Sequence, residues 1–132
     1  MIHLNLDDKI LDAAEDVDKK TMGEYINKII EVALKQENII DREIYVSIGC
    51  ASRIEIRELN KEYRKVDKET DVLSFPIFTK EELENIKFDQ IELGDIVICL
   101  DVVRNQSIEY DTGMKRELLY MITHGICHLL RI

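Results

Sequence analysis

An α+β fold is what these 132 residues predict: a single domain spanning 1–132, with a mixed four-stranded sheet packed with about four to five helices. Three observations carry the prediction. Apolar residues alternate with period two around 2–6 and 44–50, and two compact β-rich runs follow at 72–78 and 96–100. Apolar residues recur with helical period over 22–34, 56–66 and 114–130. Strand and helix patterns are interspersed along the chain, and no linker, repeat or low-complexity tract divides it.

The elements follow in order. Ile2, Leu4 and Leu6 alternate with His3, Asn5 and Asp7, as in a half-buried strand. The acidic stretch to Lys20 reads as loop or a short helix. Thr21 with Glu24 forms a capping box ahead of Met22, Tyr25, Ile26, Ile29, Ile30, Ala33 and Leu34, which predicts a core helix to about Gln36. Ile44, Val46, Ile48 and Cys50 make the second strand, and Ser52 with Glu55 opens a helix whose apolar side is Ile56, Leu59, Tyr63 and Val66. Pro76 has no amide to donate, so the run Val72–Phe78 is expected at a sheet edge. Lys80–Glu92 reads as a surface excursion of the kind that borders sites. After Gly94, Ile96–Leu100 is a compact strand, and Asp101 can cap a short helix to about Glu109. Asp111 or Thr112 can cap the last helix, which carries Met114, Leu118, Met121, Ile122, Leu129 and Leu130.

Composition narrows the function. With 45% hydrophobic and 34% charged residues, the chain falls outside the disordered, collagen-like and disulfide-scaffold classes. No apolar run approaches the roughly 18 residues of a membrane span, and the start MIHLNLDDK lacks the pattern of a signal peptide, so a cytoplasmic protein without a membrane partner is expected. Cys50, Cys99 and Cys127 are odd in number and widely spaced, which favours free thiols. A net charge of -9 excludes a protein that grips nucleic acid with its whole surface, because phosphate affinity comes largely from lysine and arginine. Any RNA contact must be local. Arg53, Arg57, Lys61, Arg64, Lys65 and Lys68 recur at three- to four-residue steps and offer such a patch, although Glu55, Glu58, Glu62 and Asp67 are interleaved as on a solvated face.

The last helix holds the chemistry. His124 and His128, in the run HGICH, are four residues apart, which places both imidazoles on one helix face about 6 Å apart. That spacing suits a shared metal ion, though a lone pair of helix histidines is equally compatible with a core or surface role. The zincin-type motif HExxH has a glutamate after the first histidine as general base, and Gly125 removes it here. Cys127, three residues after His124, is either a third donor or an apolar filler. Asp71 and Asp95 fit turn-ordering roles better than acid or base roles, and Ser74 has no histidine in local sequence to activate it.

Four segments, NKEYR at Asn60–Arg64, TDVLSFP at Thr70–Pro76, LGDIVIC at Leu93–Cys99 and the terminal HGICHLL, together resemble the YbeY family of metal-dependent endoribonucleases implicated in ribosomal RNA maturation. Order and spacing agree from about residue 56 to residue 130. The resemblance implies one Zn2+ ion held by three histidines, with His124 and His128 in the first two places. The third place would fall six residues beyond His128, past Ile132, so a domain lacking the usual C-terminal tail and a weakened site are expected. Cys127 stands where the family has leucine, Arg131 where it usually has glycine, and His3 is a poor substitute for the third ligand. The resemblance also implies that Arg64 lies near the metal as a catalytic phosphate clamp, in competition with a plain ion pair to Glu62 or Asp67. The expected function is a single-strand-specific, zinc-dependent endoribonuclease, impaired in this chain, with ribosomal RNA and the small ribosomal subunit or its proteins as partners. The alternatives are a ribosome-associated binding factor with a structural metal, favoured by the acidic surface, and a small-substrate metallohydrolase, disfavoured by Gly125.

Overall fold

In the computed structural model, which describes residues 1–132, strands and helices follow one another as β1 (Ile2–Leu6), α1 (Asp8–Ala13), α2 (Lys19–Gln36), β2 (Glu43–Cys50), α3 (Arg53–Arg64), β3 (Val72–Pro76), α4 (Lys80–Glu84), β4 (Gln90–Ile98), α5 (Leu100–Glu109) and α6 (Met114–Leu129). The four strands form one mixed sheet in the order β1-β2-β4-β3. The first three are parallel, and β3 pairs antiparallel at the edge, where the missing amide of Pro76 costs no ladder bond. The α+β class and four-stranded sheet are as expected, and short α1 and α4 bring the helices to six.

One sheet face is the core. Ile44, Val46 and Ile48 from β2 and Ile91, Leu93, Ile96 and Ile98 from β4 are buried against α2 and α6. The inward positions of β4 change phase between Leu93 and Ile96, and the β2 to β4 register shifts between Tyr45 and Val46. This is a bulge: one extra residue lets both halves of the strand point apolar side chains inward. Gly94 sits in it with φ at +134°, and a Cβ there would overlap the Phe75 carbonyl oxygen and stand 3.1 Å from Leu129 Cδ2. The bulge also explains why β4 begins at Gln90 instead of 96. Its first half does not share one period with the second, so the end of the expected surface excursion, from Gln90 to Glu92, is strand.

Helix α6 lies close on this sheet. Leu118, Met121, Ile122, Gly125, Ile126 and Leu129 are its buried residues. A Cβ at Gly125 would come within 2.8 Å of Ile96 Cδ1 and 3.1 Å of Ile96 Cγ1 and Cγ2, so the missing side chain sets the helix-to-sheet distance.

Several helix starts differ from expectation. Asp18 caps α2, accepting the Thr21 N–H at 2.8 Å and the Thr21 hydroxyl at 3.0 Å, so Thr21 lies inside the helix and starts no capping box. Neither α5 nor α6 has a side-chain cap: Cys99 and Gly113 occupy the cap positions, and the Thr112 hydroxyl donates instead to Glu117 Oε1 at 2.5 Å. The capping box of Ser52 and Glu55 on α3 is present as expected. Tyr63 and Val66 are exposed; only Ile56 and Leu59 of the expected apolar side turn inward, and Tyr63 rests edge-on against Phe75. No helix is long and apolar enough to cross a membrane.

Gly94→Ala is expected to lower unfolding free energy by about 2 kcal/mol or more, because it adds left-handed strain to an overlap with backbone. Urea denaturation reads this directly; an unchanged midpoint would mean that the bulge tolerates a side chain.

Candidate functional site

The buried stripe of α6 fixes where its other side chains point. His124 and His128 are exposed, one turn apart, with ring centroids 4.3 Å apart and planes tilted by 51°. They line a cleft of about 430 Å³ between α6, β3 and the C-terminal end of α3, together with Arg64, Asp71, Ser74 and Tyr120. The residues picked out by spacing and resemblance, Arg64, His124 and His128, are therefore brought to one place.

Arg64 is the last residue of α3, and its surroundings decide between the two roles expected of it. Asp67 is taken by Arg57 at 2.8 Å and Glu69 by Arg53 at 2.7 Å. Arg64 forms no ion pair, so the basic stripe is neutralised along its first half and open at the end that meets the cleft. Lys65 follows with φ at 62°, which ends the helix and turns the chain away.

Asn60 holds that turn, a role not anticipated from its place in NKEYR. It is 3% exposed. Its Nδ2 donates to the Lys68 carbonyl at 3.0 Å, its backbone carbonyl accepts the N–H groups of Lys65 and Val66, and its Oδ1 is buried without a donor. The visible signal was an amide four residues after Ile56, on the inward side of the helix.

Asp71 lines the cleft but is engaged structurally, in line with expectation. Oδ1 accepts the Val72 N–H at 2.8 Å and the Thr70 hydroxyl at 3.3 Å, and Oδ2 accepts Gln106 Nε2 at 3.2 Å. Asp95 is on the opposite sheet face beside His3, Tyr45 and Ser47 and does not reach the cleft. His3 stacks on Tyr45 at 4.4 Å there, with Nε2 3.5 Å from Glu43, so it is no substitute ligand. Ser74 lines the cleft without a hydrogen bond to either histidine.

Electrostatics favour the neutral imidazole. Partial desolvation in the cleft, followed by electrostatic repulsion from the neighbouring His124, Arg64 and Arg131, lowers the His128 pKa from its ordinary value and favours the unprotonated ring at neutral pH. Neutral imidazole is the form that binds a metal. The pair thus fits two positions of a zinc ion's nitrogen-donor shell. No third histidine, cysteine or carboxylate stands close enough to form a cluster with them. Cys127 is about 100° around the helix from His128 and lines an apolar groove between α2 and α6, away from the cleft. That groove is larger, about 570 Å³, but its only charged lining residues are Lys28 and Lys115. Burial pushes the Cys50 thiol up to about 11, which leaves it unreactive as a nucleophile.

Comparison with known proteins identifies the family to which the chain belongs. The profile of the family described as Endoribonuclease YbeY matches residues 9–131. A Thermoanaerobacter pseudethanolicus protein of that name is 41% identical over 129 residues, covering 92% of this chain and 80% of the relative. One from Clostridioides difficile is 39% identical over 128 residues, covering 93% and 80%. The solution structure of a Thermotoga maritima protein superposes with a TM-score of 0.55 at 28% identity, covering 98% of this chain and 72% of that one. The class defined is that of hydrolytic nucleases. Within it, the chain belongs to the YbeY family.

Two variants test the geometry. Asn60→Ala is expected to cost about 1–3 kcal/mol by leaving the Lys68 carbonyl and the inner helix turn without their fastening, measured by chemical denaturation. Gly125→Glu, which restores the zincin-type glutamate, is expected to unfold the domain, because position 125 faces Ile96 and not the cleft. A folded Gly125→Glu protein by circular dichroism would contradict that placement.

Proposed function

We propose that this protein is a zinc-dependent endoribonuclease acting on single-stranded ribosomal RNA during ribosome maturation. The observation that carries the reading is an arginine without an acidic partner, Arg64, in one cleft with two histidines. A free guanidinium presents its donors as a planar fork that matches two phosphate oxygens. Asp67 and Glu69, held by Arg57 and Arg53, do not compete for it. His124 and His128 would hold the ion. When bound there, zinc would supply Lewis acidity toward a phosphoryl oxygen and would lower the pKa of a bound water toward 7. Arg64 orients the scissile phosphate and offsets charge that grows on its oxygens in the transition state. Asn60 positions Arg64 through the turn after α3, and Asp71 orders the start of β3 on the facing wall. A small-substrate hydrolase of the zincin kind would need a base that Gly125 does not supply. The partners in this reading are ribosomal RNA and the small ribosomal subunit or its proteins, and the location is the cytoplasm.

Arg64→Ala is expected to reduce kcat/KM on an unstructured ribosomal RNA oligonucleotide about 10²–10³-fold, with the denaturation midpoint unchanged. Cleavage at the wild-type rate by both Arg64→Ala and His128→Ala would refute the assignment; RNA binding with no cleavage by wild type would favour a binding factor instead. Calorimetric titration with Zn2+ is expected to show one weak site in the 132-residue chain, abolished by His128→Ala. Tight stoichiometric binding would contradict a two-histidine donor set.

A further inference from the structure

We propose that Tyr120 is a base-stacking residue that seats one unpaired nucleobase at the mouth of the cleft. The inference deepens the RNA-cleavage reading and rests on it.

Tyr120 is 64% exposed, although it belongs to a helix whose other large apolar side chains mostly pack inward. It lines the same cleft as Arg64, His124 and His128. Its ring is parallel to the His124 imidazole within 10°, at a centroid distance of 6.4 Å. With the 4.3 Å between His124 and His128, the three rings form one ridge along α6. Of the other exposed tyrosines, Tyr63 lies edge-on against Phe75, Tyr25 lies under Lys115, and Tyr110 sits at the C-terminal cap of α5 and does not line the cleft. Nothing in the core needs Tyr120, and no hydrogen bond holds its hydroxyl.

An open aromatic face beside a phosphate-binding arginine is the arrangement by which proteins hold single-stranded nucleic acid: the cation takes the backbone and the ring takes a base. One helical turn, about 5.4 Å, separates Tyr120 from His124, comparable to the reach from a base to its own phosphate. A base stacked on Tyr120 therefore sets a neighbouring phosphate at the histidine pair and Arg64. Within a duplex both faces of a base are covered by its stacked neighbours, so the same contact selects single strands over duplex. It is also tolerant of sequence, because every base has a π face. Chain charge makes this contact matter more. At a net charge of -9, long-range attraction for RNA is poor, and a short-range stacking contact compensates without adding basic residues.

The test is fluorescence anisotropy at low salt, in chelator so that metal plays no part, with a labelled ten-nucleotide unstructured RNA, its duplex, and a series carrying one abasic residue at each position. Tyr120→Ala is expected to weaken single-strand binding about tenfold, Tyr120→Phe to stay within twofold of wild type, and duplex binding to be unaffected. One abasic position should weaken wild type by the same factor and leave Tyr120→Ala unchanged, a coupling that a merely structural role would not produce. Binding by Tyr120→Ala equal to wild type, or an abasic penalty identical in both proteins, overturns the proposal alone when Arg64→Ala still impairs binding. Failure of the wild type to bind single-stranded RNA overturns it together with the reading on which it rests.

Discussion

The close approach of α6 to β4 at Gly125 and Ile96 is the constraint on which the rest depends. A helix lying on a sheet normally stands off by the thickness of its side chains, and the glycine removes one such spacer where Ile96 is bulkiest. With Ile122, Ile126 and Leu129 committed to the core, the helix has no rotational freedom left. Tyr120, His124 and His128 are then carried to the β3 side. The residue that removes a zincin-type base is thus the one that brings the histidines into register with the edge strand. Gly94 does the same service from the other side, since its empty α-carbon lets Phe75 and β3 close on the bulge.

A second design element is the division of charge along α3. Arg53 and Arg57 are spent on Glu69 and Asp67, two ion pairs that tie the loop after the helix back to its exposed face. Exposed pairs of this kind contribute little to stability. Their consequence is positional: the loop's acids are occupied by Arg53 and Arg57, which leaves the guanidinium of Arg64 free. Asn60 reinforces the arrangement from inside by holding Lys68. An acidic protein thereby keeps one open cationic group where two imidazoles converge.

Most of the fold was legible because its signals are local. The alternation in β1 and β2, the helical period of α2, α3 and α6, the capping box at Ser52 and the edge position enforced by Pro76 all follow from neighbours a few residues apart. The first half of β4 was not legible because the bulge at Gly94 breaks its period, and α5 and α6 start without the side-chain caps that would mark them. In the site, the histidine pair and Arg64 could be found from spacing and motif resemblance. The buried bond of Asn60, the reach of Gln106 across 35 positions to Asp71, and the turn of Cys127 toward α2 depend on tertiary packing, which no local pattern encodes.

The central claim is that Arg64 and the histidine pair act on one phosphate. A double-mutant cycle on RNA cleavage with Arg64→Ala, His128→Ala and the combined variant tests it most directly, because groups that serve a single transition state are not additive. The account predicts that the double variant is no slower than the slower single variant within a few-fold. Losses that multiply in full would show that the two residues work independently and would contradict it.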